Sequence, residues 1–350
     1  MRKVRLFNAL CLLLWAGSFA FAAKKPAPAT MPEWVNVPAS VYPNDSYITS
    51  VGYASDRDSA EIKALQGIAA TFEQSVKSDS EASQRMTQAK ADGKVATASV
   101  SAFSQKIKRS VDVDNLIGVE VKEFWLDQGS STWYAIAVLD RSKAAQIYGD
   151  MIRKNASAIN MVLSSSAKDK LSLGGYAVYD FAEDIAVENE NHLKKLSVIQ
   201  PKSVGLLQSY CPSSKAYHAK KVEIAAKIPV CITVENDVNG RIGAAFTDVI
   251  LSAGFRSTSD KNTRYSLVAL LTFEQSDATD GKTTRCRYTV ESFILDTETD
   301  QKIVTFSFSG REGHVTFAEA KNRAVKALET KIKDEFGKAF AGYLKNLATE

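Results

Sequence analysis

Apolar residues are spaced along this chain with two periods, and the switches between them mark out the elements. Ser46–Ala54 (SYITSVGYA) has the composition of a strand and runs out at a glycine. Behind Asp56–Ser59, suited to start a helix, Ile62, Leu65, Ile68, Ala69, Phe72 and Val76 return every three or four positions. That spacing predicts a helix with this stripe turned to a core. Residues 78–101 are small and polar, and read as a solvated helix extension or an excursion from the fold. Two strands are expected next, Gly118–Leu126 and Thr132–Leu139, joined by a turn at Asp127–Ser130. In the second, Trp133, Ala135, Ala137 and Leu139 alternate with Tyr134, Ile136 and Val138, so both faces are apolar and the strand is expected at its sheet's centre.

Helical spacing then takes over. Ala145, Tyr148, Ile152, Ala156, Ile159 and Val162 fall on one side of a helix from Ser142, and Asp180–Val198 is a second helix carrying Phe181, Ile185, Leu193 and Leu196. A new unit begins near Val222. Ile228–Glu235 reads as a strand. Ile242, Phe246, Val249, Ile250 and Ala253 stripe a helix that Gly254 stops. Tyr265–Glu274, Cys286–Asp296 and Lys302–Ser309 are three strands with short turns, an antiparallel meander. Val325, Leu328, Ile332, Phe336, Phe340 and Tyr343 stripe a C-terminal helix that is expected to cover that sheet.

The fold class predicted is α+β: two small domains, each an antiparallel sheet with helices on one face, joined by a helical connector. The divisions are 1–22 as a leader, 23–31 as a linker, 32–151 and 222–350 as the domains, and 152–221 as the connector.

The leader changes the picture of compartment. Arg2, Lys3 and Arg5 precede an apolar stretch from Leu6 to Phe21, and Ala20-Phe21-Ala22 has the small-x-small pattern of a signal peptidase site. Cleavage is expected between Ala22 and Ala23. Cys11 follows Leu10, which does not suit lipidation, so no lipid anchor is expected. Lys24–Thr30 (KKPAPAT) is an extended linker. Of the 44 basic residues against 40 acidic, three lie in the leader, which leaves a balance of about +1 and no basic bias toward nucleic acid. An exported chain permits disulfides. Cys211 and Cys231 can close a loop, or Cys231 and Cys286 are small buried apolar residues in strands; the sequence leaves both open.

Several segments resemble known envelope families. Pro32-Glu33-Trp34-Val35, Gly52-Tyr53-Ala54, the alanine-rich helix Asp58–Gln74, and the pair GVEVKEFW and STWYAIAVLDR resemble the LPP-twenty lipoprotein family over about Met31–Met151. LSAGFRS, YSLVALLTFE and ILDTETDQKIVTFSFSG are similar to the small periplasmic domains of the LpoB, CsgG and TolB-N kind, and the two-part layout is like that of the FlgT family. The resemblance implies a scaffold or interaction role in the envelope and brings no catalytic residues.

The residues themselves agree. His192, His218 and His314 are far apart, with no metal-binding spacing, and His192 is expected at the surface. Gly281-Lys282-Thr283 has the tail of a phosphate loop but joins two strands of a hairpin. Ser164-Ser165-Ser166 lacks the setting of a nucleophile. No catalytic residue, cofactor or metal is expected. The acidic run Asp180, Glu183, Asp184, Glu188 and Glu190 reads as a solvated helix face. Tyr42 and Tyr53 flank loop-like positions and are the expected interaction surface, while Trp133 is expected in the core.

The chain is therefore expected to be a non-catalytic periplasmic protein, associated with the outer membrane at most peripherally. It would act as a scaffold or interaction module for envelope proteins or peptidoglycan-associated machinery. A regulator of a cell-wall synthase, acting through the C-terminal domain, is the alternative, and an enzyme of unrecognised type comes after it.

Overall fold

The computed structural model describes residues 30–88, 116–277 and 283–348. The expected leader, with Ala22 and Ala23, lies outside the described residues, as do Gly281 and Lys282. The described residues open with two single helical turns, Glu33–Asn36 (α1) and Pro38–Val41 (α2). Strand β1 (Tyr47–Ala54), helix α3 (Arg57–Gln88) and strands β2 (Val119–Asp127) and β3 (Thr132–Asp140) follow. The sheet order is β1-β3-β2, antiparallel throughout. Central β3 is buried on both faces from Ala135 to Leu139, as its pattern predicts.

Helix α3 is rotated from its predicted phase. Ala60, Ala64, Ile68 and Phe72 are buried, whereas Ile62 is 54% and Leu65 37% exposed. The cause is close approach. A Cβ on Gly52 would lie 2.2 Å from the Ala60 carbonyl oxygen and 2.3 Å from the Ala64 nitrogen, so β1 touches the helix backbone itself. Only small side chains fit there, and the larger Ile62 and Leu65 are turned outward.

Helix α4 (Arg141–Leu163) leaves β3 directly, with the Asp140 carboxylate accepting from the Lys143 amide as its cap. Helix α5 (Leu173–Ile199) belongs to both halves. Leu173 sits in the second core, and Leu193, Leu196 and Ile199 in the first. Arg141 donates to the Val198 and Ile199 carbonyls at 2.8 and 2.7 Å, closing the C-terminal end of α5. Helices α6 (Pro201–Leu207) and α7 (Ser214–Ala225) complete the middle layer.

The second sheet holds β4 (Pro229–Glu235), β5 (Arg256–Thr258), β6 (Tyr265–Asp277), β7 (Thr284–Asp296) and β8 (Gln301–His314), in the order β5-β4-β6-β7-β8. Its meander β6-β7-β8 is antiparallel, but β4 runs parallel to both β5 and β6, so this sheet is mixed. The parallel pairs follow from a crossover through helix α8 (Arg241–Ser252). Gly254, at φ +89°, ends that helix, and the Phe255 amide reaches back to the Ile250 carbonyl at 3.2 Å. Helix α9 (Phe317–Lys331), a π-helical turn (Ile332–Phe336) and helix α10 (Gly337–Asn346) form the closing run. Leu328, Ile332, Phe336 and Phe340 are buried in the second core, as their stripe predicts, with Val325 and Tyr343 packed at its margin.

Candidate functional site

The face of the first sheet turned away from α3 is built from aromatic rings around one carboxylate. Residues Tyr53, Val51 and Tyr47 of β1, Tyr134, Ile136 and Val138 of β3, and Glu123 and Trp125 of β2 share it by alternation and register. Turns α1 and α2 lie across part of this face. Trp34, preceded by the helix-starting Pro32, is 2% exposed and packs with Trp125, Ile136 and Val138. Its indole nitrogen donates to Glu123 Oε2 at 2.9 Å, and the Tyr42 hydroxyl donates to Glu123 Oε1 at 2.9 Å. Burial, then the hydrogen bond and charge of Glu123, push the Tyr42 phenol up to about 12. Tyr42 also meets the Tyr47 ring edge-on at 5.5 Å. Tyr42, expected at an interaction surface, is thus a half-buried strut.

Tyr53 stands differently. It is 62% exposed at the end of a row of three rings, one from each strand. Its ring lies 6.1 Å from Tyr134, which lies 5.3 Å from Trp125. The Lys63 ammonium sits 5.6 Å over the Tyr53 ring and donates to the Tyr53 carbonyl. Trp125 is 9% exposed, yet its indole N–H has no hydrogen-bond partner among the described residues. The row therefore runs from an exposed ring at Tyr53 to a buried one at Trp125, which packs with Trp34, Ile136 and Val138. Trp133 faces the other way and packs against the first core.

The connector carries a second polar cluster, and here the sequence reading is corrected. The acidic run is a solvated face only at Glu188. Glu183 is buried, and Lys221 of α7 lies 2.5 Å from Glu183 Oε2 and 2.9 Å from Asp180 Oδ1. Burial works against the Lys221 ammonium, but the Asp180 and Glu183 carboxylates outweigh it and hold the group above the usual lysine range. Glu190 caps α7, accepting from the Ser214 amide at 2.8 Å and hydroxyl at 3.0 Å. His192 is buried as well, not at the surface, against the Tyr148 ring and 3.3 Å from Glu188. These groups pin α5 to α4 and α7.

Cys211, Cys231 and Cys286 are all free and buried. Cys211 and Cys231 are not joined as one reading of the sequence had it. Cys211 lies in the first core, and Cys231 on β4 pairs with Thr258 and Ser266 in the second sheet. Burial, then the Glu190 charge, raise the Cys211 thiol to about 11, so it is an inert apolar filler. Strands β6 and β7 run antiparallel on either side of residues 278–282, as a hairpin requires. No helix among the described residues is long and apolar enough to cross a membrane.

No protein-family model matches the chain, and no curated protein does. Among solved structures it is similar to the secreted protein HP1454 from Helicobacter pylori, at 16% identity over 81% of this chain and 97% of that one, with a TM-score of 0.36. A minor lipoprotein from Acinetobacter baumannii aligns at 12% identity over 35% of this chain and 90% of its own, with a TM-score of 0.23. PelC from Paraburkholderia phytofirmans, a dodecamer, aligns at 11% identity over 31% of this chain and 88% of its own, with a TM-score of 0.22.

Proposed function

We propose that this chain is an exported, non-catalytic protein of a bacterial cell envelope that works as an interaction module. The observation that carries the reading is the ring row Tyr53–Tyr134–Trp125, exposed at one end and holding an unmet indole donor at the other. Aromatic side chains of this kind are the usual anchors of protein contacts, because they bury large area at low entropic cost. The leader pattern at Ala22 and Ala23 supports export, and the resemblance to LPP-twenty segments supports an envelope location.

The test is affinity capture from an envelope extract, run in parallel with the wild-type chain and Tyr53→Ala. Tyr53 is exposed, so its loss leaves the fold intact. Partners that the wild type recovers and the variant loses are expected. Equal recovery by both, or turnover of a substrate by the purified chain, would sink the reading.

A further inference from the structure

Among the described residues, helices cover the second sheet on one face only. Its open face is ordered in rows by the register of β6, β7 and β8. At one end lie Val268 and Phe293 with Thr305, then Leu270 and Glu291 with Ser307. The middle row is Thr272, Thr289 and Ser309. The next row is Glu274, Arg287 and Arg311, and beyond it Arg285 follows on β7. Arg287 and Arg311 stand directly opposite each other, a placement that costs stability when both are charged. Among the described residues neither arginine has an ion-pair partner, although Glu274 is the cross-strand neighbour of Arg287. This end of the face carries Arg285, Arg287 and Arg311 to one carboxylate, Glu274, with Glu291 two rows away across the hydroxyls, and is short of negative charge.

The edge beside it is open too. Among the described residues strand β8 is the last of the sheet over 14 residues, and β7 is its only strand partner. From Ile303 to Gly310 (IVTFSFSG) it carries no charge and no proline. An unguarded edge of this length pairs with other strands unless something occupies it. Its guards sit only at the ends: a bulge near Lys302 at the start and Arg311 near the finish.

We infer that β8 and the Arg287–Arg311 pair form a docking site for an extended acidic segment of a partner protein, added as a sixth strand. The inference rests on the interaction-module reading and names the partner's chemistry. Backbone hydrogen bonds along Ile303–Gly310 supply affinity. Alternate side chains of the added strand fall on the open face beside Ser307, Ser309 and Arg311, where carboxylates neutralise the arginines. The others fall on the helix side, beside Phe306 and Phe308, and are apolar. The free edge favours a strand over an anionic bilayer, which has no backbone to pair with it.

The probe is a labelled eight-residue peptide alternating Glu and Val, titrated by fluorescence anisotropy against the full chain. It is expected to bind, to weaken with added salt, and to bind at least about tenfold more weakly to Arg287→Ala/Arg311→Ala. The same composition interrupted by proline is expected to bind at least about tenfold more weakly to the wild type, since proline removes strand donors. Equal binding of the proline peptide would mean charge alone and overturn the inference. So would displacement of the peptide by phosphatidylglycerol vesicles or inorganic phosphate. Melting curves check the double variant, and Arg311→Glu serves in its place if it misfolds. If envelope capture succeeds and depends on Tyr53 but is unmoved by these arginine variants, this inference fails and the interaction-module reading survives.

Discussion

The two sheets solve the same packing problem in opposite ways. The first is small, three strands, and is covered on both faces: by α3 through a backbone-to-backbone contact at Gly52, and by the Trp34 turn through the Glu123 carboxylate. The second is five strands covered, among the described residues, on one face only, by a run of large rings with Phe336 at the centre. Small residues and a fixed polar clamp make the first unit depend on fit. Large apolar area makes the second depend on volume. The difference also separates their surfaces: the first exposes rings at the end of a covered face, the second an uncovered face and a free edge.

The largest expected effect breaks the second unit. Phe336 meets Phe246 at 5.0 Å, Phe306 at 6.0 Å and Phe340 at 6.2 Å, and is fully buried. Phe336→Ala should cost about 3–5 kcal/mol in urea unfolding. Lys333, exposed and paired with Asp248 at 2.8 Å, lies one turn away, and Lys333→Ala should change little. A small loss at Phe336 would mean that the closing helix is a removable cover and the second sheet stands without it.

Next comes fit in the first unit. Gly52→Ala places a methyl 2.2 Å from the Ala60 carbonyl, against rigid helix backbone, and should cost about 1–3 kcal/mol. The same change at Gly205, where an added Cβ meets nothing within 4 Å, is the control and should be neutral or stabilising. Equal effects would show that β1 and α3 can slide apart, which would remove the contrast between fit and volume.

The clamp is weaker than either. Glu123→Leu leaves the Trp34 indole and the Tyr42 hydroxyl without their acceptor. Tyr42 reaches water and Trp34 does not, so the cost should be about 1–2 kcal/mol. Glu123→Gln, which keeps one acceptor oxygen, should recover part of it. No difference between the two would mean that the Trp34 turn is held by apolar packing alone.

Much of this contrast was legible in the sequence, and the failures share a cause. The meander, the glycine stop at Gly254 and the Leu328–Phe340 stripe were readable because each is a local pattern whose burial follows from its own period. The phase of α3 was not, since the apolar stripe through Ile62 and Leu65 outscored alanines that face the sheet only because Gly52 lets the backbones touch. Glu183 and His192 carry no local sign of burial. Their partners, Lys221 on α7 and Tyr148 on α4, lie 38 and 44 positions away, a pairing that only the tertiary fold creates. Tyr42 and Tyr53 share the same loop-like context in the sequence, but Glu123, placed only by the register of β2, binds one of them.

The smallest expected effect tests the seam between α5 and α4, at His192 on the first unit's end of α5. Burial, with a contribution from the nearby Lys195 cation, lowers its pKa below the ordinary value, while Glu188 on the same helix works the other way. Tyr148 faces it from α4 with a neutral ring. The folded state therefore prefers the neutral imidazole, and the unfolded chain takes up a proton first, near pH 6.5. By linkage the contribution is fully present above about pH 6.5 and is lost as pH falls through that value toward the folded pKa. Many carboxylates also titrate in acid, so the wild-type curve alone says little. His192→Gln keeps a polar planar group and cannot gain the charge. The urea midpoints of the two chains should run parallel above about pH 7 and diverge below pH 6.5, with the wild type losing more. Because Glu188 offsets part of the burial, this divergence should be the least of the four effects. Parallel curves down to pH 5 would mean that the protonated ring is accommodated at the seam. Helix α5 would then yield there more easily than its burial in both cores implies.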